Sequence, residues 1–141
     1  MSIIGIGVDI VSNNRFKKLV KNKNFIERVF TIYERKSSNN LKNKLNYYSK
    51  RFAAKEAFSK ATGLGISKYL HFRDIEVKKN KRGKPSINLS KSTFLYLKKK
   101  LKVKNFKTNL SLSDEKNYSI AYVIIERLWL KKVQLSIILK L

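Results

Sequence analysis

Two carboxylic acids in this sequence lie in segments where acids are uncommon. Asp9 interrupts a β-branched, apolar run, and Glu56 lies in an alanine-rich segment with Lys60 four residues further on. A carboxylate in an apolar segment is costly unless a cation or several donors satisfy it. Mg²⁺ prefers oxygen ligands and completes its shell with water and substrate phosphates. The pair therefore predicts a phosphate-handling site, in which Lys60 neutralises pyrophosphate charge or assists a leaving group.

Two simpler interpretations remain open for these residues. A Glu and a Lys four residues apart are common on helix surfaces, where they form an exposed ion pair. Asp9 could also be a buried structural acid that accepts hydrogen bonds from several donors. Together these two interpretations describe a structural interaction protein. For such a protein, Asp9→Asn would leave activity and ligand binding unchanged.

Other kinds of chemistry find less support in the sequence. The glycines of 5–7 do not complete a dinucleotide fingerprint, and no Walker sequence occurs. His71 is the single histidine, so we interpret it as structural or surface-exposed. Ser111 and Ser113 have no base beside them in sequence and are expected to be strand residues or a phosphate contact. The absence of cysteine excludes a disulfide framework and a thiol nucleophile.

The apolar pattern predicts the elements that must hold these side chains. Residues 3–11 form a continuous apolar run, which predicts a buried strand that carries Asp9. Residues 47–62 lack Gly and Pro, which predicts a helix that ends at Gly63, with Phe52, Glu56 and Lys60 along one face. The remaining expected elements are two short helices within 15–33, a loop or helix start at 37–46, a hairpin of 72–79 and 86–89, a helix over 93–101, and strands at 108–113 and 118–125. This order predicts an α+β domain at 1–126, with a mainly antiparallel sheet packed against one long helix plus shorter helices, and a C-terminal extension at 127–141.

The charge of the chain indicates an anionic partner. Its 33 basic and 9 acidic residues give a formal charge of +24. A nucleic-acid-binding module is the alternative hypothesis, because Tyr47, Tyr48, Phe52 and Tyr96 lie near lysines. It leaves Asp9 unexplained, so we regard a nucleic-acid partner as unlikely. The N-terminal run lacks the features of a secretory signal, and no segment approaches the roughly 20 apolar residues of a membrane helix. We therefore expect a cytoplasmic protein without a membrane partner.

Several stretches together resemble one known family. They are residues 5–11 followed by Arg15, residues 51–61 followed by 63–66, residues 72–77 with 83–85, and residues 110–115 with 118–126. In this order they are similar to the holo-[acyl-carrier-protein] synthases, the small bacterial phosphopantetheinyl transferases. The resemblance implies a 4'-phosphopantetheinyl transferase-like fold. It also implies transfer of the phosphopantetheine group of coenzyme A to a serine of apo acyl carrier protein, with release of adenosine 3',5'-bisphosphate, in support of fatty acid biosynthesis.

The resemblance also implies roles for particular residues. Asp9 and Glu56 would be the Mg²⁺ ligands and, with Lys60, the catalytic group. The residues implied in coenzyme A binding are Phe52, Lys60, Gly63, Gly65, Lys84, Pro85 and Asp114. The residues implied in carrier-protein binding are Arg15, Phe25 and Arg28. Asp114 stands where many relatives have His, which leaves the general base open between Glu56 and a metal-bound water. Family members assemble as homotrimers with active sites between neighbours, and an acidic carrier protein would explain the positive charge.

Overall fold

The computed structural model describes residues 2–129, which form two antiparallel sheets and five α-helices. The elements in chain order are β1 Ser2–Ser12, α1 Asn13–Val20, α2 Lys23–Val29, α3 Ile32–Ser37, α4 Lys44–Thr62, a 3-10 turn Phe72–Asp74, β2 Ile75–Lys79, β3 Pro85–Leu89, α5 Lys91–Lys100, β4 Phe106–Asp114 and β5 Tyr118–Arg127. In the larger sheet β5 lies between β1 and β4 and is antiparallel to both, while β2 and β3 form a hairpin. The α+β fold class expected from the sequence is confirmed.

The long helix α4 packs across the larger sheet and forms the centre of the core. The side chain of Asn43 caps its first turn, and Gly63 ends it in the left-handed conformation, with φ of 73°. Asn43 starts the helix one turn earlier than the apolar pattern predicts. The helix buries four small side chains against the strands, which are Ala53, Ala54, Ala57 and Ala61. Because these side chains are short, the axis of α4 can lie close to the sheet.

Two glycines of β1 make this close approach possible. A Cβ atom added to Gly5 would lie 1.9 Å from the carbonyl oxygen of Ala61, and one added to Gly7 would lie 1.9 Å from that of Ala57. No other residue avoids this overlap with helix backbone unless the strand moves away. The contact places Asp9, two residues after Gly7, against the C-terminal half of α4.

We expect Gly7→Ala to destabilise the fold by about 1–3 kcal/mol, since the new methyl group overpacks a contact between two backbones. Urea unfolding followed by circular dichroism would measure the change in the free energy of unfolding. Gly83→Ala is the control, because a Cβ there meets no atom within 4 Å and its cost is confined to the positive φ of 81°. A Gly7→Ala variant as stable as the parent protein would show that the β1–α4 contact has room for a side chain.

The structure corrects the sequence expectations in two local segments. Residues 15–33 contain α1, α2 and the start of a third helix, α3, where the sequence predicted two helices. Thr31 and Glu34 form a capping box that begins α3, with each side chain accepting a hydrogen bond from the other residue's backbone N–H. Residues 72–74 form a 3-10 turn instead of the start of a strand, because the Asp74 carboxylate accepts a hydrogen bond from the backbone N–H of His71.

β1 is buried on one face only, which corrects the expectation of a buried strand. Gly7 and Val11 are buried, whereas Ile6, Val8 and Ile10 are 54%, 54% and 59% exposed. This alternation arises because α4 covers one face of the sheet. On the opposite face, no element among residues 2–129 covers β1. An apolar strip therefore lies on the surface.

The last strand ends close to the domain boundary predicted at residue 126. β5 ends at Arg127, and the backbone N–H of Leu128 donates to the carbonyl of Asn105. Most of the C-terminal extension expected at 127–141 lies outside the described residues. In the described part of the chain, no helix is both long and apolar enough to cross a membrane.

Candidate active site

The fold brings together the three side chains that the sequence singled out for catalysis. Asp9 projects from β1, and Glu56 and Lys60 lie one turn apart on α4. The Lys60 ammonium donates to the Asp9 carboxylate at 2.7 Å and to the Val8 carbonyl at 3.1 Å. The Asp9 side chain is 16% exposed and that of Lys60 is 53% exposed. Lys60 thus bridges strand and helix at the edge of an accessible site.

The electrostatics of this group favour a bound cation. Burial raises the pKa of Glu56, the negative charge of Asp9 raises it further, and Lys60 opposes both effects. The Asp9 and Glu56 carboxylates therefore repel each other, even though the Lys60 ammonium is close to both. Among residues 2–129, no three His, Cys, Asp or Glu side chains come together as a metal site. The two carboxylates fit Mg²⁺, which takes few protein ligands and fills its shell with water and phosphate oxygens.

An aromatic cluster lies on the α4 turn before Glu56. The Phe52 ring is stacked on that of Phe72 at 5.3 Å and lies 5.2 Å from that of Phe16 and 6.0 Å from that of Phe25. Phe52, expected at coenzyme A, and Phe25, expected at the carrier protein, thus belong to one cluster. Both are partly buried, and only part of each ring is available to a ligand.

The two arginines expected at the carrier protein are exposed near this cluster. Arg15 lies in the first turn of α1 and Arg28 lies in the last turn of α2. Neither forms an ion pair with a described acidic side chain. Their guanidinium groups therefore remain available to a partner.

Gly63 and Gly65 form the loop that leaves α4 directly after Lys60. Their φ angles are 73° and 64°, in the left-handed region that glycine adopts without strain. The backbone N–H of Gly63 donates to the Lys60 carbonyl and that of Gly65 to the Ser59 carbonyl. Because no atom lies within 4 Å of where their Cβ atoms would be, the outer side of this loop is open.

Asp114 forms a second polar group, at the other end of α4. Its carboxylate accepts hydrogen bonds from Lys50 and Asn46, both at 2.7 Å. Burial would raise the pKa of Asp114, but these two hydrogen bonds outweigh it and hold that pKa below its usual value. Lys50 and Lys60 are ten residues apart, or about 15 Å along the helix axis. The structure therefore separates Asp114 from the Asp9 group by about half the length of α4.

The β2–β3 hairpin, which carries Lys84 and Pro85, lies on the Asp114 side. Burial lowers the pKa of Lys79, at the end of β2, and the charges of Lys50 and Arg51 lower it further, while Asp114 raises it. Lys84 pairs with Asn80 through the backbone in the turn, and Pro85 begins β3. Positive side chains thus surround Asp114 from two elements that are distant in sequence.

Asn46, Lys50 and Lys79 are the polar residues that sequence reasoning did not identify. Asn46 and Lys50 are four residues apart and share one face of α4, which is a weak signal in the sequence. Their common partner, Asp114, comes from β4, so only the tertiary structure makes the cluster visible. His71 is exposed, and Ser111 and Ser113 are on the outer face of β4, without a histidine or acid bonded to them.

The family model of the 4'-phosphopantetheinyl transferase superfamily matches residues 5–123, a range that includes Asp9, Glu56, Lys60 and Asp114. This chain belongs to that superfamily. The resemblance inferred from the motifs is confirmed.

Individual relatives agree with this membership in the phosphopantetheinyl transferases. A holo-[acyl-carrier-protein] synthase of Pelagibacter ubique is 51% identical over 127 residues, which cover 90% of this chain and 99% of that protein. The holo-[acyl-carrier-protein] synthase of Neisseria meningitidis has a similar crystal structure, with a TM-score of 0.80, 35% identity, and coverage of 89% of this chain and 100% of that one. The corresponding structure from Bacillus anthracis, in complex with coenzyme A (3',5'-ADP), has a TM-score of 0.75 and 38% identity. The match covers 89% of this chain and 98% of that one.

Proposed function

We propose that this protein transfers the 4'-phosphopantetheine group of coenzyme A to a serine of apo acyl carrier protein. The products are holo acyl carrier protein and adenosine 3',5'-bisphosphate, and the reaction supports fatty acid biosynthesis in the cytoplasm. The observation that carries the proposal is the convergence of Asp9, Glu56 and Lys60 in a chain 51% identical to a holo-[acyl-carrier-protein] synthase. The coenzyme A complex of the Bacillus anthracis relative supports the choice of co-substrate.

The reaction breaks a phosphoanhydride bond of coenzyme A and forms a phosphate ester bond to the carrier protein. The serine oxygen forms a bond to the phosphorus nearest pantetheine, and the bond from that phosphorus to the bridging oxygen breaks. Lys60 lies where its ammonium can neutralise negative charge on the pyrophosphate as the leaving group departs. The serine proton passes to Glu56 or to a water at the site.

Asp9 and Glu56 are the side chains that would hold Mg²⁺. When bound, Mg²⁺ would supply charge neutralisation at the pyrophosphate oxygens. The support for this assignment is the mutual repulsion of the two carboxylates, which a divalent cation relieves.

The proposed coenzyme A cleft involves Phe52, Lys60, the 63–65 loop, Lys84, Pro85 and Asp114. The Gly63 and Gly65 loop is open toward a ligand next to Lys60. Around Asp114, the charges of Lys50 and Lys79 favour an anionic group. Because coenzyme A is long and anionic, it suits two polar groups separated by about 15 Å.

Mass spectrometry of the carrier protein tests the proposed function directly. Purified apo acyl carrier protein, incubated with this protein, coenzyme A and MgCl₂, should gain about 340 Da, the mass of one phosphopantetheine arm joined by group transfer. A carrier variant with Ala at the acceptor serine and a reaction with excess EDTA are the controls. Unchanged mass with folded enzyme and several carrier proteins would contradict the proposal.

The exposed apolar strip of β1 supports assembly into a homotrimer with active sites between neighbours. Ile6, Val8 and Ile10 continue onto Ile120 and Tyr122 of β5, all at least 38% exposed. An apolar patch of this kind is typical of a protein–protein interface. Asp9 lies between Val8 and Ile10 on the opposite face of β1. Because β1 is an edge strand, a neighbour that covers the strip and extends past this edge would come close to the site.

We expect the double variant Val8→Glu, Ile10→Glu to be monomeric, because two buried charges would oppose association. Sedimentation velocity would give the mass of the particle, and the carrier assay would show reduced transfer. Leu95→Glu, an exposed apolar position on α5, should leave both results unchanged. A parent protein that sediments as an active monomer would refute the trimer.

A further inference from the structure

A groove runs between the end of α2, the start of α3 and the 3-10 turn, and continues along the β2–β3 hairpin. It consists of two adjoining cavities of about 630 and 370 Å³. Thr31, Arg73 and Asp74 line both cavities, so they form one continuous depression. Arg28 and His71 line its wider end. We call it the Arg28–Arg73 groove.

The acidic residues of the groove already have partners. The Asp74 carboxylate accepts the His71 backbone N–H at 2.8 Å. Glu76 accepts the Thr31 hydroxyl at 2.6 Å and pairs with Lys78 at 3.0 Å. Burial would raise the pKa of Glu76, but its hydrogen bonds from Thr31 and Lys78 outweigh this and lower it, so the carboxylate stays ionised.

The two arginines of the groove are exposed and lack such partners. Among residues 2–129, no carboxylate lies within ion-pair distance of Arg28 or Arg73. They belong to different elements, α2 and the 3-10 turn, and lie along the same groove. Because a guanidinium group binds a carboxylate through two parallel hydrogen bonds, this pair suits an acidic surface.

The groove is also connected to the candidate active site. Phe72, directly before Arg73, stacks on Phe52 with ring centroids 5.3 Å apart. Phe52 lies one helical turn before Glu56 on α4. A protein docked in the groove would therefore lie beside the aromatic cluster that precedes Glu56 on α4.

We propose that the Arg28–Arg73 groove docks an acidic segment of the carrier protein, and that Arg73 is a docking residue in addition to Arg15, Phe25 and Arg28. The inference rests on the proposed function, because it takes the carrier protein as the partner. Arg73 recognises the carrier and does not contact the reacting atoms. Its loss should weaken capture of the carrier without changing use of coenzyme A.

Charge reversal at Arg73 tests this inference. We expect Arg73→Glu to raise the KM for apo carrier protein about tenfold or more, with kcat and the KM for coenzyme A unchanged. The effect should shrink as NaCl is raised, because salt screens exposed charges. Lys99→Glu makes the same change in charge at an exposed position on α5 and should raise this KM less than twofold. A carrier variant with Lys in place of one acidic residue should restore part of the loss in Arg73→Glu.

Direct binding separates this inference from the proposed function. Fluorescence anisotropy of labelled apo carrier protein would give its affinity for the parent protein, Arg73→Glu and Lys99→Glu. Equal KM and affinity values for the two variants would overturn the role of Arg73, while transfer by the parent protein would still stand. Absence of transfer by the parent protein would overturn the proposed function, and the anisotropy comparison alone would then decide whether the groove binds the carrier.

Discussion

Replacing Glu56 by Gln should lower the rate of transfer by at least about a hundredfold, as expected when one charged group at a phosphoryl-transfer site is lost. Gln keeps the size of the side chain but cannot supply the negative charge that offsets a cation beside Asp9. The variant should remain folded, since burial and the charge of Asp9 both disfavour the ionised form of Glu56 in the cation-free protein. The measurement is the initial rate of carrier modification, with circular dichroism to establish the fold.

Cation binding gives a second measurement on the same variant. Electron paramagnetic resonance of Mn²⁺, used as a probe for the proposed Mg²⁺ site, should show weaker binding to Glu56→Gln than to the parent protein. Glu126→Gln is the matched control, because Glu126 pairs with Lys107 and Asn109 near the end of β5. Rates and Mn²⁺ affinities that match those of the parent protein would contradict a two-carboxylate site.

Replacing Lys55 by Met should cost about 3–5 kcal/mol of unfolding free energy, the range for breaking one side of a buried ion pair. The side chains of Lys55 and Glu34 are both 0% exposed, and their charged groups lie 2.9 Å apart. The Lys55 ammonium also donates to the carbonyls of Phe72 and Ile75. The Glu34 carboxylate also accepts the backbone N–H groups of Thr31 and Val77. Met fills a similar volume but leaves the Glu34 charge unpaired inside the protein.

Urea unfolding of Lys55→Met measures this loss. Lys107→Met removes one partner of an exposed ion pair and should cost less than about 1 kcal/mol. The double variant Glu34→Gln, Lys55→Met should lose less than the sum of the two single changes, because the partners interact directly. A single Lys55→Met variant within about 1 kcal/mol of the parent protein would show that water reaches the pair or that the interior adapts.

The secondary structure near the site was largely predictable because its signals are local. The alanine-rich segment without Gly or Pro identified α4, and Gly63 correctly marked its end. The alternation within 108–113 and 118–125 located β4 and β5. The 3-10 turn at Phe72–Asp74 was missed, since one hydrogen bond from His71 to Asp74 outweighs the strand-like alternation of the segment.

For the candidate site, some residues were predictable from the sequence and others were not. Asp9 and Glu56 were identified because a carboxylate in an apolar or alanine-rich segment is costly unless a cation or a donor satisfies it. The structure places both beside Lys60. Their assignment to Mg²⁺ and coenzyme A came from the family resemblance and remains a proposal. Arg73 and Lys50 gave no such signal, because each is one basic residue among 33 until its neighbours in space are known.

The sequence by itself determined the superfamily, the long helix and the two unusual acids, since these depend on residue types and on spacings within one element. Only the tertiary structure decided which side chains are buried. Lys55 is fully buried because α3 and β2, distant in sequence, close around it, whereas Ile6, Val8 and Ile10 are exposed because α4 covers only the opposite face of β1. Burial depends on what packs from elsewhere in the chain, and a local pattern of apolar residues does not contain that information.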